Sequence, residues 1–141
     1  MRPIKFRIWD KKEKRFYTAE NTCMMNVTLD GKNTVIEWIG GAIKFVFQKP
    51  EEAGIILQQF AGVLDKDGRE IYEGDIIEFH SGYPNQNDSS FYKSQAVVEF
   101  KDGAFWPRPI YDTNDEDTWY DYELKDLRVL GNIFENIDLL N

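Results

Sequence analysis

The chain has 141 residues, 42% of them hydrophobic and 15% aromatic, which is enough for a packed core and too apolar for whole-chain disorder. No apolar run approaches the ~20 residues of a membrane-spanning helix, and the charged, alternating start MRPIKFRIWD lacks the apolar core of a signal peptide. The formal charge of −8 is divided unevenly: residues 1–50 carry ten Lys and Arg against five Asp and Glu, and residues 51–141 carry seven against twenty.

That split, +5 against −13, is the pattern of a nucleic-acid surface at one end, an acidic interaction surface at the other, or two faces that attract each other. Cys23 is the sole cysteine, so no internal disulfide can form, which fits a reducing cytoplasm. It stands beside Met24 and Met25 with no basic partner nearby in sequence, the setting of a buried bystander rather than of an activated thiol.

Taken in order, Ile4, Phe6 and Ile8 alternate with Lys5, Arg7 and Trp9, the period-2 pattern of a half-buried strand. Asp10 to Lys14 reads as a loop and Arg15 to Glu20 as the returning strand. This hairpin puts Lys5 and Arg7 on its outer face and Lys11, Lys12, Lys14 and Arg15 at its tip. Lys11, Lys12 and Lys14 with Trp9 form a candidate nucleic-acid contact, cations for phosphates and an indole for a base. The competing reading is that terminal-strand lysines keep an edge soluble.

Strands follow at Met25 to Leu29, Thr34 to Ile39 and Ile43 to Phe47, with Asp30–Gly31 as a tight turn and Gly40–Gly41 as a break. Lys49 to Gly54 reads as a connection, so the organisation expected is a hairpin-rich subdomain over 1–54 and a second one over 55–141, with one shared core as an option. Ile55 to Phe60 reads as a strand or a short helix, and the β-branching at its start and the following Gly62 favour the strand.

The stretch Gln59 to Phe79, QFAGVLDKDGREIYEGDIIEF, is the most tightly specified in the chain. Asp67–Gly68 is a second Asp-Gly turn, and Gly74–Asp75 turns the chain into the strand Ile76 to Phe79. Ile71, Ile76 and Phe79 are expected in the core with Ile77 on the opposite face. Glu73 and Asp75 could be an acid–base pair, but turn duties explain Asp67, Gly68, Gly74 and Asp75 better. The stretch is therefore a structural hinge between two β-rich units.

Gly82 to Ser90 has little to bury and is expected to be a loop. Gln95 to Phe100 and Ala104 to Trp106 form a third hairpin, which Pro107 and Pro109 should end because proline cannot donate to a ladder. From Asp112 to Asp126 there are seven acids and one lysine, with Trp119, Tyr120 and Tyr122 among them. One helical turn is allowed around Asp117 to Lys125. Arg128 to Phe134 closes the strands with Gly131 at a bulge, and Ile137 to Leu140 is a terminal turn expected to cap the barrel end. Many short strands joined by Asp-Gly turns imply a mainly β fold, a small barrel.

The chemistry on offer is thin. His80 is the sole histidine, and a triad would need it set against Ser81 or Ser89 in or beside a polar loop. Counted as calcium loops, the stretches from Asp112 and Asp65 both lack the glycine at position six. A divalent site among Asp112, Asp115, Glu116 and Asp117 would support a metal-dependent hydrolase as the third-ranked reading. There is no Cys/His set for zinc and no phosphate-cradling glycine loop, so no cofactor is expected. The acidic stretch, through Asp115, Glu116, Asp117, Trp119 and Tyr122, is a candidate docking surface for a basic partner.

Three stretches together resemble the YopX family of phage and prophage proteins: RPIKFRIWD (Arg2–Asp10), the central QFAGVLDKDGREIYEGDIIEF, and VLGNIFEN (Val129–Asn136). They come in the family's order over a little more than a quarter of the chain. Ala61 stands where the family often has threonine, and Ile137 where a proline often follows Glu-Asn. The resemblance implies a β-rich fold with an SH3-like barrel in the C-terminal part, in a bacterial or phage-infected cytoplasm. It carries over no activity and no catalytic residues. The reading that follows is a non-enzymatic accessory protein acting through an unidentified protein partner or as a homo-oligomer. A nucleic-acid module is second, and no membrane role is expected.

Overall fold

The computed structural model describes residues 3–18, 24–29, 34–40, 43–47, 49–82, 92–110 and 123–141. Those residues include the strands β1 (Phe6–Asp10), β2 (Arg15–Tyr17), β3 (Met24–Leu29), β4 (Thr34–Gly40), β5 (Ile43–Phe47), β6 (Ile55–Leu64), β7 (Glu70–Tyr72), β8 (Asp75–Gly82), β9 (Tyr92–Lys101), β10 (Ala104–Pro109) and β11 (Glu123–Asn132), and the 3-10 turn Ile137–Leu140. The fold is mainly β. The sheets are ordered β2-β1-β6-β7, β10-β9-β8-β11 and β3-β4-β5. The chain divides into two compact units, Met1–Phe60 and Ala61–Asn141, with the boundary inside β6. Among the described residues no helix is long and apolar enough to cross a membrane.

In the first unit β1 is the middle strand, antiparallel to both β2 and β6. Ile8, the most buried residue of this sheet, packs with Ile55, Tyr17 and Leu57, its cross-strand neighbours on one face. The other face is also covered. Trp9 is 5% exposed, its ring 4.8 Å from Phe16. Ile4, expected to share the inward pattern, precedes the strand and is 70% exposed. Gln58, 2% exposed, receives a hydrogen bond from Arg7 Nε at 2.7 Å, so a buried amide oxygen is matched with a charged donor. Strands β3, β4 and β5 form an antiparallel meander with the register Ile36↔Val27 and Ile36↔Phe47 at its centre.

In the second unit the core is the face made by Ile77 and Phe79 of β8 and Ala96 and Val98 of β9, joined by Ile71 and flanked by Ala61, Phe105, Leu124, Leu127 and Val129. Ile77 and Phe79 therefore share a face, and Ile76 lies on the other one. The expected grouping of Ile76 with Phe79 is reversed, because residues two apart along a strand point the same way. Ile76 is nonetheless fully buried beside its cross-strand partner Val97, which is why composition alone could not separate the faces.

Further expectations change. Strand β6 runs unbroken through Gly62 to Leu64. Strand β10 continues through Pro107 to Pro109. The reason is alternation: Ile110 N donates to Gln95 O at 3.1 Å, so two-residue spacing turns the ring nitrogens of Pro107 and Pro109 away from β9, toward the sheet's open edge. Strand β11 begins at Glu123, where a helical turn was expected as far as Lys125. Pairing of Leu124 with Ser81 and Lys125 with His80 holds that segment extended. β11 ends at Asn132, short of Phe134, and shifts register between Lys125 and Arg128 and again between Val129 and Gly131. The turn Ile137–Leu140 buries none of its residues, and Ile137 is 65% exposed.

Candidate functional site

The acids and glycines of the central stretch hold backbone. Asp65 anchors the turn: its Oδ1 accepts from Asp67 N and Arg69 N, each at 2.9 Å, and its Oδ2 accepts from Val129 N at 3.1 Å. Its own N–H donates to Arg69 O at 2.8 Å and its carbonyl accepts from Gly68 N at 3.0 Å. Gly68, at φ +81, takes the left-handed geometry this closure requires. Burial, which alone would raise the Asp65 carboxyl, is outweighed by the three backbone donors and the Arg69 charge, and its pKa falls below the ordinary value. The sequence places the turn over Asp65 to Gly68 and assigns its duty to Asp67 and Gly68, whereas the anchoring carboxylate is Asp65. The signal was present in Asp65-x-Asp67-Gly68, an Asx-type turn.

Gly74, at φ +79, donates through its N–H to Val98 O at 2.8 Å and accepts from Ile133 N at 3.0 Å. Asp75 is 1% exposed and its Oδ2 accepts from Tyr72 N at 2.8 Å. The Tyr72 hydroxyl donates to Glu70 Oε2 at 2.7 Å. A third polar knot closes the chain. Asn132 Oδ1 accepts from Phe134 N and Glu135 N, both at 3.0 Å, and Asn132 Nδ2 donates to Glu135 Oε2 at 2.7 Å. Asn132 N in turn donates to Asn136 Oδ1 at 3.1 Å. These side chains satisfy turn N–H groups that burial would otherwise leave unpaired.

The basic tip is built the same way. Asp10 Oδ1 accepts from Lys12 N at 2.8 Å and Glu13 N at 3.0 Å, and Lys11 N donates to Gly54 O at 2.9 Å. Lys11, Lys12 and Lys14 are exposed, Lys14 with φ +50. Trp9, proposed to stack on a base beside them, is buried against Phe16 and presents no open ring. Three other cations lie over rings: Arg7 over Phe16 at 4.5 Å, Arg15 over Tyr17 at 4.6 Å and Lys5 over Phe60 at 5.6 Å.

His80 Nδ1 is shielded from solvent and lies 3.5 Å from Asp126 Oδ2, too far for a good hydrogen bond. Asp126 occupies the β11 register shift at φ +55. Beside His80 on the same strand, Glu78 meets Lys93 Nζ at 3.1 Å and Gln95 Nε2 at 3.4 Å. Burial raises the Glu78 carboxyl, but Lys93, Gln95 and Arg128 outweigh it and hold the pKa below the ordinary value. The side chains of Ser81, Ser89, Asp112, Asp115, Glu116, Asp117, Trp119 and Tyr122 lie outside the described residues, as does Cys23. Among the described residues no three His, Cys, Asp or Glu converge on a metal position.

A sequence profile of the family described as YopX protein matches residues 5–141. Two solved structures share the fold over the full length of both chains: YopX from Bacillus subtilis, at 16% identity and a TM-score of 0.62, and protein EF1440 from Enterococcus faecalis, at 23% identity and 0.55. Curated proteins give no match.

Proposed function

The chain belongs to the YopX protein family, and on that premise we propose that it is a non-enzymatic accessory protein working through protein–protein contacts, self-association among them. The observation that carries this reading is charge. Residues 1–60 hold ten Lys and Arg against seven Asp and Glu, and residues 61–141 hold seven against eighteen, a net +3 and −11. Opposite charge on two surfaces of one molecule lets each copy offer what another accepts. The best-placed carboxylates support the same reading, since Asp65 and Asp75 are engaged by backbone donors. The reading takes the protein as a cytoplasmic component of a phage or prophage system, with its second unit an SH3-like barrel whose twice-shifted β11 supplies the curvature.

Sedimentation velocity of the full chain over a range of concentrations and salt tests this. Growth of the sedimentation coefficient with concentration at about 0.1 M salt is the expected result. A monomer at every salt, with no partner retained on the immobilised protein, removes the reading.

One observation favours a second reading, nucleic-acid binding through the hairpin tip: Lys11, Lys12 and Lys14 are exposed together on one turn. It requires salt-sensitive retardation of an oligonucleotide that is lost when all three become Glu. Absence of retardation at low salt ends it.

A further inference from the structure

The sequence holds three Asp-Gly pairs, Asp30–Gly31, Asp67–Gly68 and Asp102–Gly103, and the last two lie among the described residues. Both of those glycines are left-handed, Gly68 at φ +81 and Gly103 at φ +82, but their surroundings differ. At the first pair, Gly68 N donates to Asp65 O at 3.0 Å and Asp67 N donates to Asp65 Oδ1 at 2.9 Å. The Asp67 carboxylate lies 3.8 Å from Arg128 Nε. Lys66 N to Leu127 O and Val129 N to Asp65 Oδ2 tie the same turn to β11. Asp102 and Gly103, by contrast, are the two-residue tip of the β9–β10 hairpin, closed by the pair Lys101↔Ala104. Both are exposed, and nothing lies within 4 Å of the position a Gly103 Cβ would take. Among the described residues neither the Asp102 carboxylate nor the Gly103 N–H has a hydrogen-bonding or ionic partner. Asp102 is itself left-handed at φ +53, a region that a residue with a Cβ enters at a cost.

We propose that Asp102–Gly103 is a backbone modification site, at which the folded chain converts Asp102 to isoaspartate while the fold spares Asp67. The Gly103 amide nitrogen gives up its proton and attacks Asp102 Cγ. The N–Cγ bond forms and a carboxyl oxygen leaves as water, closing a succinimide ring. Water then opens the ring. Addition at Cγ restores aspartate, whereas addition at the main-chain carbonyl carbon breaks its bond to Gly103 N and routes the backbone through Cγ. One water leaves and one enters, nothing is oxidised or reduced, and no co-reactant is required. Glycine permits the attack because no side chain crowds its nitrogen. Ring closure requires the peptide between the two residues to rotate. At the hairpin tip that rotation breaks no hydrogen bond of Gly103. At Asp67–Gly68 it would pull Gly68 N from Asp65 O and draw the carboxylate away from Arg128. The product adds one backbone atom to a two-residue turn. That atom must be absorbed between Lys101 and Ala104, beside the 3.0 Å hydrogen bond from Trp106 Nε1 to Lys101 O.

The test ages the full chain for several weeks in warm neutral buffer, once folded and once unfolded in urea, and maps isoaspartate by peptide mass spectrometry. The mass of the peptide does not change, so the product is scored by its shifted elution and by methyl transfer from S-adenosylmethionine with an isoaspartyl methyltransferase as probe. In urea the two pairs, each preceded by lysine, should react at similar rates. In the folded chain Asp102 should lead Asp67 by about tenfold or more, because only the second must break hydrogen bonds to react. Asp102→Glu keeps the charge but closes its larger ring far more slowly, and its tip peptide should accept no methyl group. Melting curves verify that this variant is folded. Equal conversion of Asp102 and Asp67 in the folded chain, or the same lead in urea, overturns the fold as the selecting agent. Absence of isoaspartate at Asp102 in the folded chain overturns the site itself, as does a tip peptide that is still methylated in Asp102→Glu.

Discussion

At the scale of single residues, Asp65 joins a turn to a distant strand with one carboxylate. Asp65→Asn keeps one oxygen for Asp67 N and Arg69 N but turns an amide NH₂ toward the N–H of Val129, donor against donor. The loss expected is about 1–3 kcal/mol, read from urea unfolding. The pH dependence follows from the same contacts. Asp65 and Glu78 sit below their ordinary values of 3.8 and 4.5 in the folded chain, so the unfolded chain binds more protons. Their stabilisation is complete above about pH 5 and is lost as the pH falls through each folded value. Urea midpoints between about pH 3 and pH 7 should fall less steeply for Asp65→Asn than for the parent. Equal slopes would refute the role given to this carboxylate. Gly131 is limited by space: a Cβ there would overlap the Asn136 side-chain amide. Gly131→Ala should cost about 1–3 kcal/mol, and less in an Asn136→Ala background where the obstructing amide is gone. An equal cost in both backgrounds would show that the overlap is not the cause.

At the scale of elements, β10 shows where linear reading reaches its limit. Pro107 and Pro109 are breakers only if their nitrogens face a neighbour, and the Ile110–Gln95 hydrogen bond shows that they face the open edge. Proline there removes donors that would invite another strand. Pro107→Val with Pro109→Val should keep the melting temperature within a few degrees while adding concentration-dependent association that persists at about 1 M salt. Association no greater than the parent's at about 1 M salt would show that the prolines do not guard the edge. The Asp67–Gly68 turn, the strands around Trp9, Val27, Ile36, Phe45 and Phe79, and the bulge at Gly131 were all legible because each depends on local pattern, while the Asp30–Gly31 turn lies outside the described residues. The face shared by Ile77 and Phe79 was not, since Ile76 and Ile77 are both apolar and both buried and only strand pairing separates them. Trp9 was misplaced for a related reason, since Phe16 covers a face that alternation alone assigns to solvent, whereas Ile4 is exposed because it precedes β1.

At the scale of the molecule, the charge split was visible in the sequence, but the gathering of Lys93, Lys101, Arg108, Lys125 and Arg128 on one face was not. Those residues span thirty-six positions, and only the pairing of four strands brings them together. The split also bears on stability. A net −11 over residues 61–141 repels itself, and a net +3 over residues 1–60 does so far less. Salt weakens the surface pairs Lys93–Glu78 and Arg108–Glu99 as well, but exposed pairs contribute about 0–1 kcal/mol each and are few beside the eighteen carboxylates of that unit. Screening should therefore stabilise the second unit on balance. Replacing Trp9 and Trp38 by Phe leaves the indole fluorescence to Trp106 and Trp119, both in the second unit. Its thermal transition should rise by a few degrees between about 20 mM and 0.5 M NaCl. The complementary variant, with Trp106 and Trp119 replaced, reports on the first unit and should move less. Equal shifts from both reporters, or a fall in the second, would mean that the paired cations of the sheet outweigh the repulsion of its acids.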